Sequence, residues 1–268
     1  MLEEILKRKR IEVESVKEEV PFRKLEKMPR RTQLDPPYLS GALSRPAPAL
    51  IAEIKYKSPS RGMFTCRDKP ELIAESYVRA GASALSVLTD EFFFSGRLEY
   101  LERSRSHLDE IEAGKQVPLL RKDFVIDRYQ IEEARIRGAS AFLLIAAALA
   151  DSDLAALLEY GDAAGLEALV EIHSPDELDR VMKTGSEIIG VNNRNLKTFE
   201  VDIDTSFDIA RRLEGESGLI LVAESGISES VQVRELADAG FDGFLVGSAF
   251  MDTPDPGRAL GELLAGIK

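Results

Sequence analysis

Side chains capable of acid–base chemistry follow several short apolar runs in this sequence. A lysine ammonium can donate a proton, a carboxylate can accept one or stabilise positive charge, and an asparagine amide can orient a hydroxyl group. Residues of these types stand at or just after the ends of the first, third, fifth, sixth and seventh runs: Glu53, Lys55, Lys122, Glu171, Asn192 and Glu224. Any one of them is ordinarily the solvated start of a loop, but their joint occurrence predicts one shared acid–base site.

Three neighbouring residues have competing interpretations. His173 has a side chain suited to general-base catalysis near neutral pH, yet it stands two residues past Glu171, where a loop begins, so Glu171 is the stronger candidate. Asn193 is predicted to be a turn residue in the left-handed conformation that asparagine tolerates. Asp123 should point away from Lys122 if the strand continues, which favours a structural role for Asp123.

Small residues follow the last two apolar runs, in the segments AESGIS and LVGSAF. Glycine lets backbone N–H groups approach an anion closely, and the N-terminus of a helix favours negative charge. The two segments therefore predict a phosphate site formed by Ser225, Gly226, Gly247 and Ser248. Tight-turn chemistry would also explain the glycines, although not their pairing after two consecutive runs.

Eight apolar, β-rich runs alternate with segments of helical periodicity between Leu50 and Gly247. The runs are LIAEI, ALSVL, VPLLR, AFLLI, ALVEI, IIGVN, LILVA and GFLVG. They recur about every 28 residues, which is long enough for a strand, a helix and two loops. Helices are predicted to end at Gly81 and Gly240, and near-continuous apolar strands are typical of a parallel sheet that is covered on both faces.

A repeating βα series can form either an eight-stranded barrel or an open, doubly wound sheet. Eight units without an evident ninth favour an α/β fold of the (β/α)8 TIM barrel type, in which the active site lies at the carboxyl ends of the strands. On this prediction residues 49–268 form one catalytic barrel domain. Residues 1–48 form an extension packed on the barrel, with an amphipathic N-terminal helix and an irregular, Pro-rich connector from Met28 to Pro48.

The overall charge and composition exclude several classes of protein. With a net charge of −12 the surface repels polyanions, so nucleic acid is not expected as a partner, although a local basic pocket for one small anion remains open. The single cysteine, Cys66, has no partner for an internal disulfide, which suits a cytoplasmic location. The longest apolar run, Ala141 to Ala150, is shorter than the roughly 20 residues that cross a membrane, and the charged N-terminus is unlike a signal peptide.

Long segments of the chain resemble, in order, the strand-end signatures of the indole-3-glycerol phosphate synthase family of tryptophan biosynthesis. These segments are IAEIKYKSPSRG, LSVLTDEFFFSG, PLLRKDFVIDRYQIEEARIRGA, LVEIHSPDEL, IIGVNNRNLKTFEVD, VAESGI and FLVGSAFM. Several long motifs in register are far more specific than one short pattern. The N-terminal helix and connector are also similar to the family's extension, which precedes the barrel and helps to cover its mouth.

The resemblance implies a reaction and a substrate. The substrate is 1-(2-carboxyphenylamino)-1-deoxyribulose 5-phosphate, which is closed to an indole ring with loss of carbon dioxide and water. The reaction needs an acid that activates the ketose carbonyl and removes hydroxide as water, surroundings that tolerate a cationic ring-closed intermediate, and a base that restores aromaticity. No redox cofactor and no metal ion are implied, and family members suggest a monomer.

The resemblance also implies roles for the residues that match the family's motifs. Lys122 matches the general-acid lysine, and Glu171 matches the general base of the later dehydration. Glu53 and Lys55 match a pair that positions the substrate and supports proton transfer. The remaining matches are Asn192, which orients a hydroxyl group; Glu224, which stabilises charge near the ring nitrogen; Ser225, in catalysis as well as phosphate binding; Lys57, Ser58 and Arg194, which bind near the anionic ends; and Phe124, which packs on the aromatic ring.

The division of acid and base roles between Lys122 and Lys55 stays open in the sequence. A lysine is the better acid when its pKa approaches the working pH. Burial beside Lys55 would lower the pKa of Lys122, whereas the nearby Glu53 would raise it.

Two other functions compete with the synthase interpretation. One is a phosphosugar isomerase of histidine or tryptophan biosynthesis, which would share the phosphate site but not the set Glu53, Lys55 and Lys122; the segment KSPS after Glu53 argues for the synthase. The other is a barrel that only binds a phosphorylated ligand or acts as a scaffold. It predicts loss of the ionisable residues at the strand ends, and these residues are present.

Overall fold

Eight parallel strands form a closed barrel in the computed structural model, which describes residues 1–30, 37–44, 48–196 and 198–267. The strands are β1 (Ala49–Ile54), β2 (Ala84–Leu88), β3 (Leu119–Lys122), β4 (Ala141–Ile145), β5 (Glu167–Ile172), β6 (Ile188–Asn192), β7 (Ile220–Glu224) and β8 (Gly243–Val246). Each strand pairs with the next along the chain, and β8 pairs with β1. All eight predicted strands and the TIM-barrel fold are therefore confirmed.

Thirteen α-helices are present in the described residues, besides three short 3-10 helices. The first three precede the barrel: α1 (Leu2–Glu19), α2 (Phe22–Leu25) and α3 (Leu39–Leu43). The others are α4 (Pro70–Ala80), α5 (Glu91–Phe94), α6 (Leu98–Asp109), α7 (Arg128–Ile136), α8 (Asp151–Ala164), α9 (Pro175–Val181), α10 (Asp204–Arg212), α11 (Ser230–Asp238), α12 (Ser248–Met251) and α13 (Pro256–Ile267). As predicted, α4 ends at Gly81 and α11 ends just before Gly240, and both glycines have a positive φ.

Alternation along each strand divides the core into two layers. On β1, Leu50, Ala52 and Ile54 pack among the surrounding helices, whereas Ala49 and Ile51 face the barrel interior. The same alternation places Leu120 and Leu169 in the interior on β3 and β5. Because side chains two residues apart share a face, the residues that follow these interior positions also point into the barrel at its carboxyl end.

The Pro-rich connector is more regular than predicted. Helix α3 lies within it, and its buried Leu39 and Leu43 join the interior cluster of the barrel. The prediction that the whole connector is irregular was therefore wrong. Its apolar residues gain burial by forming one helical turn against the barrel. Residues 31–36 and 45–47 of the connector lie outside the described residues.

A short hairpin follows β1 and was not predicted. It pairs Lys57–Ser58 with Gly62–Met63 in antiparallel register. Two residues per strand are too few to show an alternating pattern, so the sequence carries no strand signal here. The hairpin places the segment from Ser58 to Arg61 at the carboxyl end of the barrel.

Helix α1 is tied to the barrel by a buried lysine. The ammonium of Lys9, whose side chain is only 1% exposed, lies 3.1 Å from Asp90 and 3.0 Å from Asp123. Asp90 follows β2 and Asp123 follows β3, next to Lys122. Burial alone would lower the pKa of Lys9, but the charges of Asp123 and Asp90 outweigh it and the pKa is raised. One ammonium thus links the N-terminal helix to two strand-end loops.

We expect the substitution Lys9→Met to lower the free energy of unfolding by about 3–5 kcal/mol, because it removes the ammonium that two buried carboxylates share and leaves only Asp123 with another cation, Arg121. Lys17→Met is the matched control on the same helix. Lys17 pairs with Asp127 at 2.7 Å in a partly exposed position, and its loss should cost no more than about 1 kcal/mol. Urea unfolding followed by circular dichroism measures both values, and equal losses would contradict the proposed importance of the buried link.

None of the helices within the described ranges combines the length and apolar character needed to cross a membrane.

Candidate active site

The ionisable residues predicted from the strand ends meet in one cavity. Its volume is about 530 Å³, and it opens at the carboxyl ends of the strands. Alternation explains this for Glu53, Lys122, Glu171 and Glu224, since each of them lies two positions beyond an interior residue of its own strand. The predicted catalytic residues that line the cavity are Glu53, Lys55, Lys122, Glu171, Asn192, Glu224 and Ser225.

Lys122 lies between two buried carboxylates. Its Nζ atom donates to Glu171 Oε2 at 2.7 Å and to Glu224 Oε2 at 2.6 Å. The three residues come from β3, β5 and β7, so alternate strands supply the cluster. Glu224 Oε1 is buried without a hydrogen-bond partner, and it packs against Gly190 of β6, where a Cβ atom would clash with the carboxylate.

Contacts among Lys122, Glu171 and Glu224 shift the pKa values of these three side chains in different ways. Burial by itself lowers the pKa of Lys122, but the charges of Glu171 and Glu224 outweigh it and hold the ammonium charged. Burial raises the pKa of Glu171, but Lys122 more than compensates and the pKa is lowered. Burial raises the pKa of Glu224 to about 7, since Lys122 opposes the shift only in part and the charge of Glu171 adds to it. Both carboxylates contact the same ammonium, yet near pH 7 Glu171 is ionised whereas Glu224 is partly protonated.

Glu53 and Lys55 form a second ion pair on the same wall. The Lys55 ammonium contacts Glu53 Oε1, as the predicted shared face of the strand requires, and lies 5.4 Å from the ring centre of Phe64. The Glu53 side chain packs against Gly247, where a Cβ atom would lie 2.9 Å from Glu53 Cβ. Gly247 therefore makes room for this carboxylate in addition to its place at the predicted phosphate site. The charge of Glu53 also raises the pKa of Lys122, so its carboxylate neighbours outweigh the effect of burial.

The residues after β6 hold the next part of the wall. Asn192 Oδ1 accepts a hydrogen bond from the Arg194 backbone N–H at 3.0 Å, so the amide NH2 is the group that Asn192 can offer to a ligand. The Arg194 guanidinium donates to the Phe199 carbonyl at 2.9 Å, and burial lowers the pKa of Arg194. Both residues line the cavity.

Asn193 is not the left-handed turn residue that was predicted. Its φ is not positive, and its buried amide donates to the Ser225 carbonyl at 3.1 Å and accepts from the Ser206 hydroxyl at 2.7 Å. The amide thus joins the ends of β6 and β7 to the start of α10. The sequence could not show this role, because it depends on two partners that lie 13 and 32 residues away.

The predicted phosphate residues also line the cavity: Ser225, Gly226, Gly247 and Ser248. Ser225 and Gly226 are consecutive residues with φ values of 65° and 82°, which turns the backbone sharply after β7. A Cβ atom at Gly226 would lie 2.6 Å from Val201 Cγ1 and would be strained at this φ, so this position needs glycine. Ser248 begins α12, whose first N–H groups have no partner within the helix.

Aromatic and apolar residues complete the cavity, and several were missed in the sequence. Phe124 lines it as predicted, with its ring centre 6.1 Å from that of Phe94. Phe94 was not selected, although the run of three phenylalanines after the second strand was a usable signal. Leu2 and Ile5 of α1 also line the cavity, so the N-terminal helix forms part of its wall.

Two predicted positions lie outside the cavity wall, and a third behaves as expected. Lys57 does not line the cavity, and its ammonium lies 3.4 Å from the Phe92 carbonyl in an exposed position. Ser58, the next residue, does line it. His173 lies outside the cavity wall and contacts Glu171 instead. Asp123 also lines the cavity, but its buried carboxylate pairs with Lys9 at 3.0 Å and with Arg121 at 3.2 Å, which supports the structural role expected of it.

Within the described ranges no three His, Cys, Asp or Glu side chains are grouped in a way that would hold a metal ion.

The sequence matches the family model for indole-3-glycerol phosphate synthase over residues 2–263. An indole-3-glycerol phosphate synthase of Bacteroides thetaiotaomicron is 42% identical over 268 residues, which cover 100% of this chain and 99% of that protein. The protein of the same name from Roseiflexus castenholzii is 45% identical, over 98% of this chain and 97% of its own length.

Solved structures show the same fold at much lower identity. A 3-hexulose-6-phosphate synthase superposes with a TM-score of 0.62 at 14% identity, over 82% of this chain and 100% of that chain. Thiamine phosphate pyrophosphorylase from Pyrococcus furiosus superposes with a TM-score of 0.58 at 19% identity, over 82% of this chain and 95% of that chain. At this level of identity the likenesses show the shared fold alone.

Proposed function

Because the chain belongs to the indole-3-glycerol phosphate synthase family, we propose that the cluster around Lys122 carries out this family's ring closure. The protein is a decarboxylating lyase of tryptophan biosynthesis. It converts 1-(2-carboxyphenylamino)-1-deoxyribulose 5-phosphate to indole-3-glycerol phosphate with loss of carbon dioxide and water. The observation that carries the assignment of roles is the Lys122 ammonium, which lies between Glu171 and Glu224 inside the cavity.

In this proposal Lys122 is the general acid. It donates a proton to the ketose carbonyl oxygen as the new carbon–carbon bond forms, regains a proton from solvent, and donates again to the leaving hydroxide. The raised pKa means that Lys122 enters the reaction fully protonated. It gives up the proton only when the substrate oxygen gains negative charge, so the donation is coupled to bond formation.

Glu171 acts as the general base in the same proposal. While Lys122 is charged, its ammonium lowers the pKa of Glu171 and the carboxylate is a weak base. As Lys122 passes its proton to the substrate, Glu171 loses the charge that kept its pKa low, and its affinity for a proton rises. Acid and base are therefore coupled through one contact, and Glu171 becomes basic when the ring-closed intermediate must lose a proton.

The other residues bind the substrate and its charges. Glu224 is placed to stabilise positive charge near the ring nitrogen, and Glu53 and Lys55 position the reacting atoms. Asn192 orients a hydroxyl group. The remaining assignments are phosphate binding by Ser225, Gly226, Gly247 and Ser248, contacts to the anionic ends by Ser58 and Arg194, and packing on the aromatic ring by Phe124. Lys57 stays a prediction from resemblance, since its side chain lies outside the cavity wall.

Several wider assignments belong to the same proposal. Residues 49–268 form the catalytic domain, and residues 1–48 form a cover whose first helix contributes Leu2 and Ile5 to the cavity. The partner is a phosphorylated small molecule. We place the protein in the cytoplasm as a monomer, supported by the single, buried Cys66 and by the resemblance to its family.

We expect the purified chain to form indole-3-glycerol phosphate from its substrate in buffer that contains a chelator and no redox cofactor. Product fluorescence measures the rate. The same substrate without its phosphate group is the control, and its KM should be higher by about 100-fold, because charge-assisted hydrogen bonds at about 1.5–3 kcal/mol each are lost. A folded chain that binds the substrate but forms no product would reject the proposed function.

A further inference from the structure

His173 lies beside Glu171 but not on the cavity wall. It is the first residue after β5, its side chain is 9% exposed, and it is absent from the residues that line the cavity. Because it does not reach the space that the substrate occupies, it does not exchange protons with the substrate directly. Its two ring nitrogens have other neighbours.

The imidazole lies between two carboxylates. His173 Nε2 is 3.2 Å from Glu171 Oε1, as an ion pair rather than a well-aligned hydrogen bond. His173 Nδ1 is 3.4 Å from Glu177 Oε2, and the same oxygen accepts the His173 backbone N–H at 2.8 Å. One carboxylate therefore fixes both the ring and the backbone of His173, while the other belongs to the proposed general base.

Helix capping explains why Glu177 is in place. Ser174 is the N-cap residue of α9, and its hydroxyl accepts the Glu177 backbone N–H at 3.3 Å. Glu177 stands in the first turn of the helix, and its side chain reaches back to the residue before the cap. The sequence HSPDEL after β5 thus builds a rigid support for the imidazole ring.

The charged groups around His173 favour its protonated form. Glu171 faces it from β5 and Glu177 faces it from α9, while Lys122 lies beyond Glu171 on the other oxygen. Burial lowers the pKa of His173, but the contacts with Glu171 and Glu177 raise it to about 9. The ring is therefore an imidazolium at neutral pH, and both of its nitrogens are donors.

We propose that His173 is a positioning residue that holds the Glu171 carboxylate during turnover, with Glu177 orienting the imidazole. Glu171 has one oxygen on Lys122 and the other on His173. When Lys122 passes its proton to the substrate, the contact with His173 keeps the Glu171 carboxylate in place to accept the proton. This inference rests on the proposed role of Glu171 as the base.

The kinetic test uses His173→Asn, which removes the cation and keeps a polar side chain. We expect kcat to fall by about 10- to 100-fold, as for other residues that orient a reacting group, while KM changes by less than about twofold. In the wild type, kcat should fall as the pH rises through about 9, because His173 loses its charge there. This alkaline limb should be absent from His173→Asn. A variant that is wild-type in kcat and pH profile would overturn the proposal.

Nuclear magnetic resonance tests the charge directly, because the chain has only two histidines. His107→Asn leaves His173 as the single imidazole, and its ring resonances should titrate with a pKa near 9. In the double variant with Glu177→Gln this pKa should fall and kcat should fall with it, although His173 is retained. A His173 that titrates at or below its ordinary value of about 6.5 would refute the imidazolium.

The outcomes separate this inference from the proposed function. If the wild type forms product and Glu171→Gln is inactive while His173→Asn is fully active, only the positioning role fails. If Glu171→Gln keeps its turnover, the role of Glu171 as the base fails first. Circular dichroism and thermal unfolding of each variant show whether a lower kcat reflects chemistry or loss of the folded state.

Discussion

Lys122→Met is expected to lower kcat by about 10³-fold or more, a larger loss than that expected for Glu171→Gln or His173→Asn. Methionine has a similar length but no proton to donate, so the general acid and the charge that stabilises the developing oxyanion are lost together. The fold should survive. Glu224, whose pKa is already raised to about 7, can take up a proton once Lys122 is gone, and the buried pair of carboxylates then carries less charge.

The measurement for Lys122→Met is steady-state turnover by product fluorescence, with circular dichroism as the check on folding. Lys115→Met is the matched control. Lys115 also forms an ion pair, with Glu112 at 2.7 Å, but it lies on the surface before β3 and should keep kcat within about twofold. A folded Lys122→Met protein that retains a tenth or more of the wild-type kcat would show that another residue, with Lys55 as the first candidate, supplies the proton.

Glu171→Gln is expected to lower kcat by about 10²- to 10³-fold and to leave KM within about threefold. The amide has the shape of the carboxylate but accepts no proton in the reaction, so the restoration of aromaticity loses its base. The loss should appear in kcat and kcat/KM alike, because the interaction is made in the transition state rather than in substrate binding. Steady-state kinetics at several pH values measures both parameters.

The control for Glu171→Gln is the same substitution at Glu167, on the same strand. Glu167 begins β5 at the opposite end of the barrel, where its carboxylate accepts the Ser40 backbone N–H at 3.1 Å. Glu167→Gln should therefore alter stability slightly and kcat hardly at all. If Glu171→Gln instead raises KM more than it lowers kcat, Glu171 is a binding residue and the base must be sought elsewhere.

Much of the fold follows from short-range patterns in the sequence. The eight strands were predictable because parallel strands covered on both faces are nearly continuous apolar runs. The helix ends at Gly81 and Gly240 were predictable because a left-handed residue after a helix favours glycine. The helix α3 and the hairpin at Lys57–Ser58 were not, because one helical turn or two paired residues leave no periodicity to detect.

The side of the strand on which each site residue lies was also decided by the sequence. Alternation with a period of two places Glu53 and Lys55 on one face of β1, and it places Lys122 and Asp123 on opposite faces. In a closed barrel one face of each strand points to the interior and the other packs on helices, so alternation assigns each side chain to one of these two layers. Glu53, Lys55 and Lys122 line the cavity as predicted, and the Asp123 carboxylate pairs with Lys9 of α1, although Asp123 also borders the cavity.

Only the tertiary structure decided which charges pair. Lys122 meets Glu171 and Glu224, which lie 49 and 102 residues away, because barrel closure brings the ends of β3, β5 and β7 around one axis. Separation along the chain says nothing about such distances, and a proton affinity depends on distance and burial together. The same reason applies to His173 behind Glu171, to Lys57 outside the cavity and to Asn193 between two loops. The sequence by itself determined which side chains face the interior, and the packing of the barrel determined what each of them meets there.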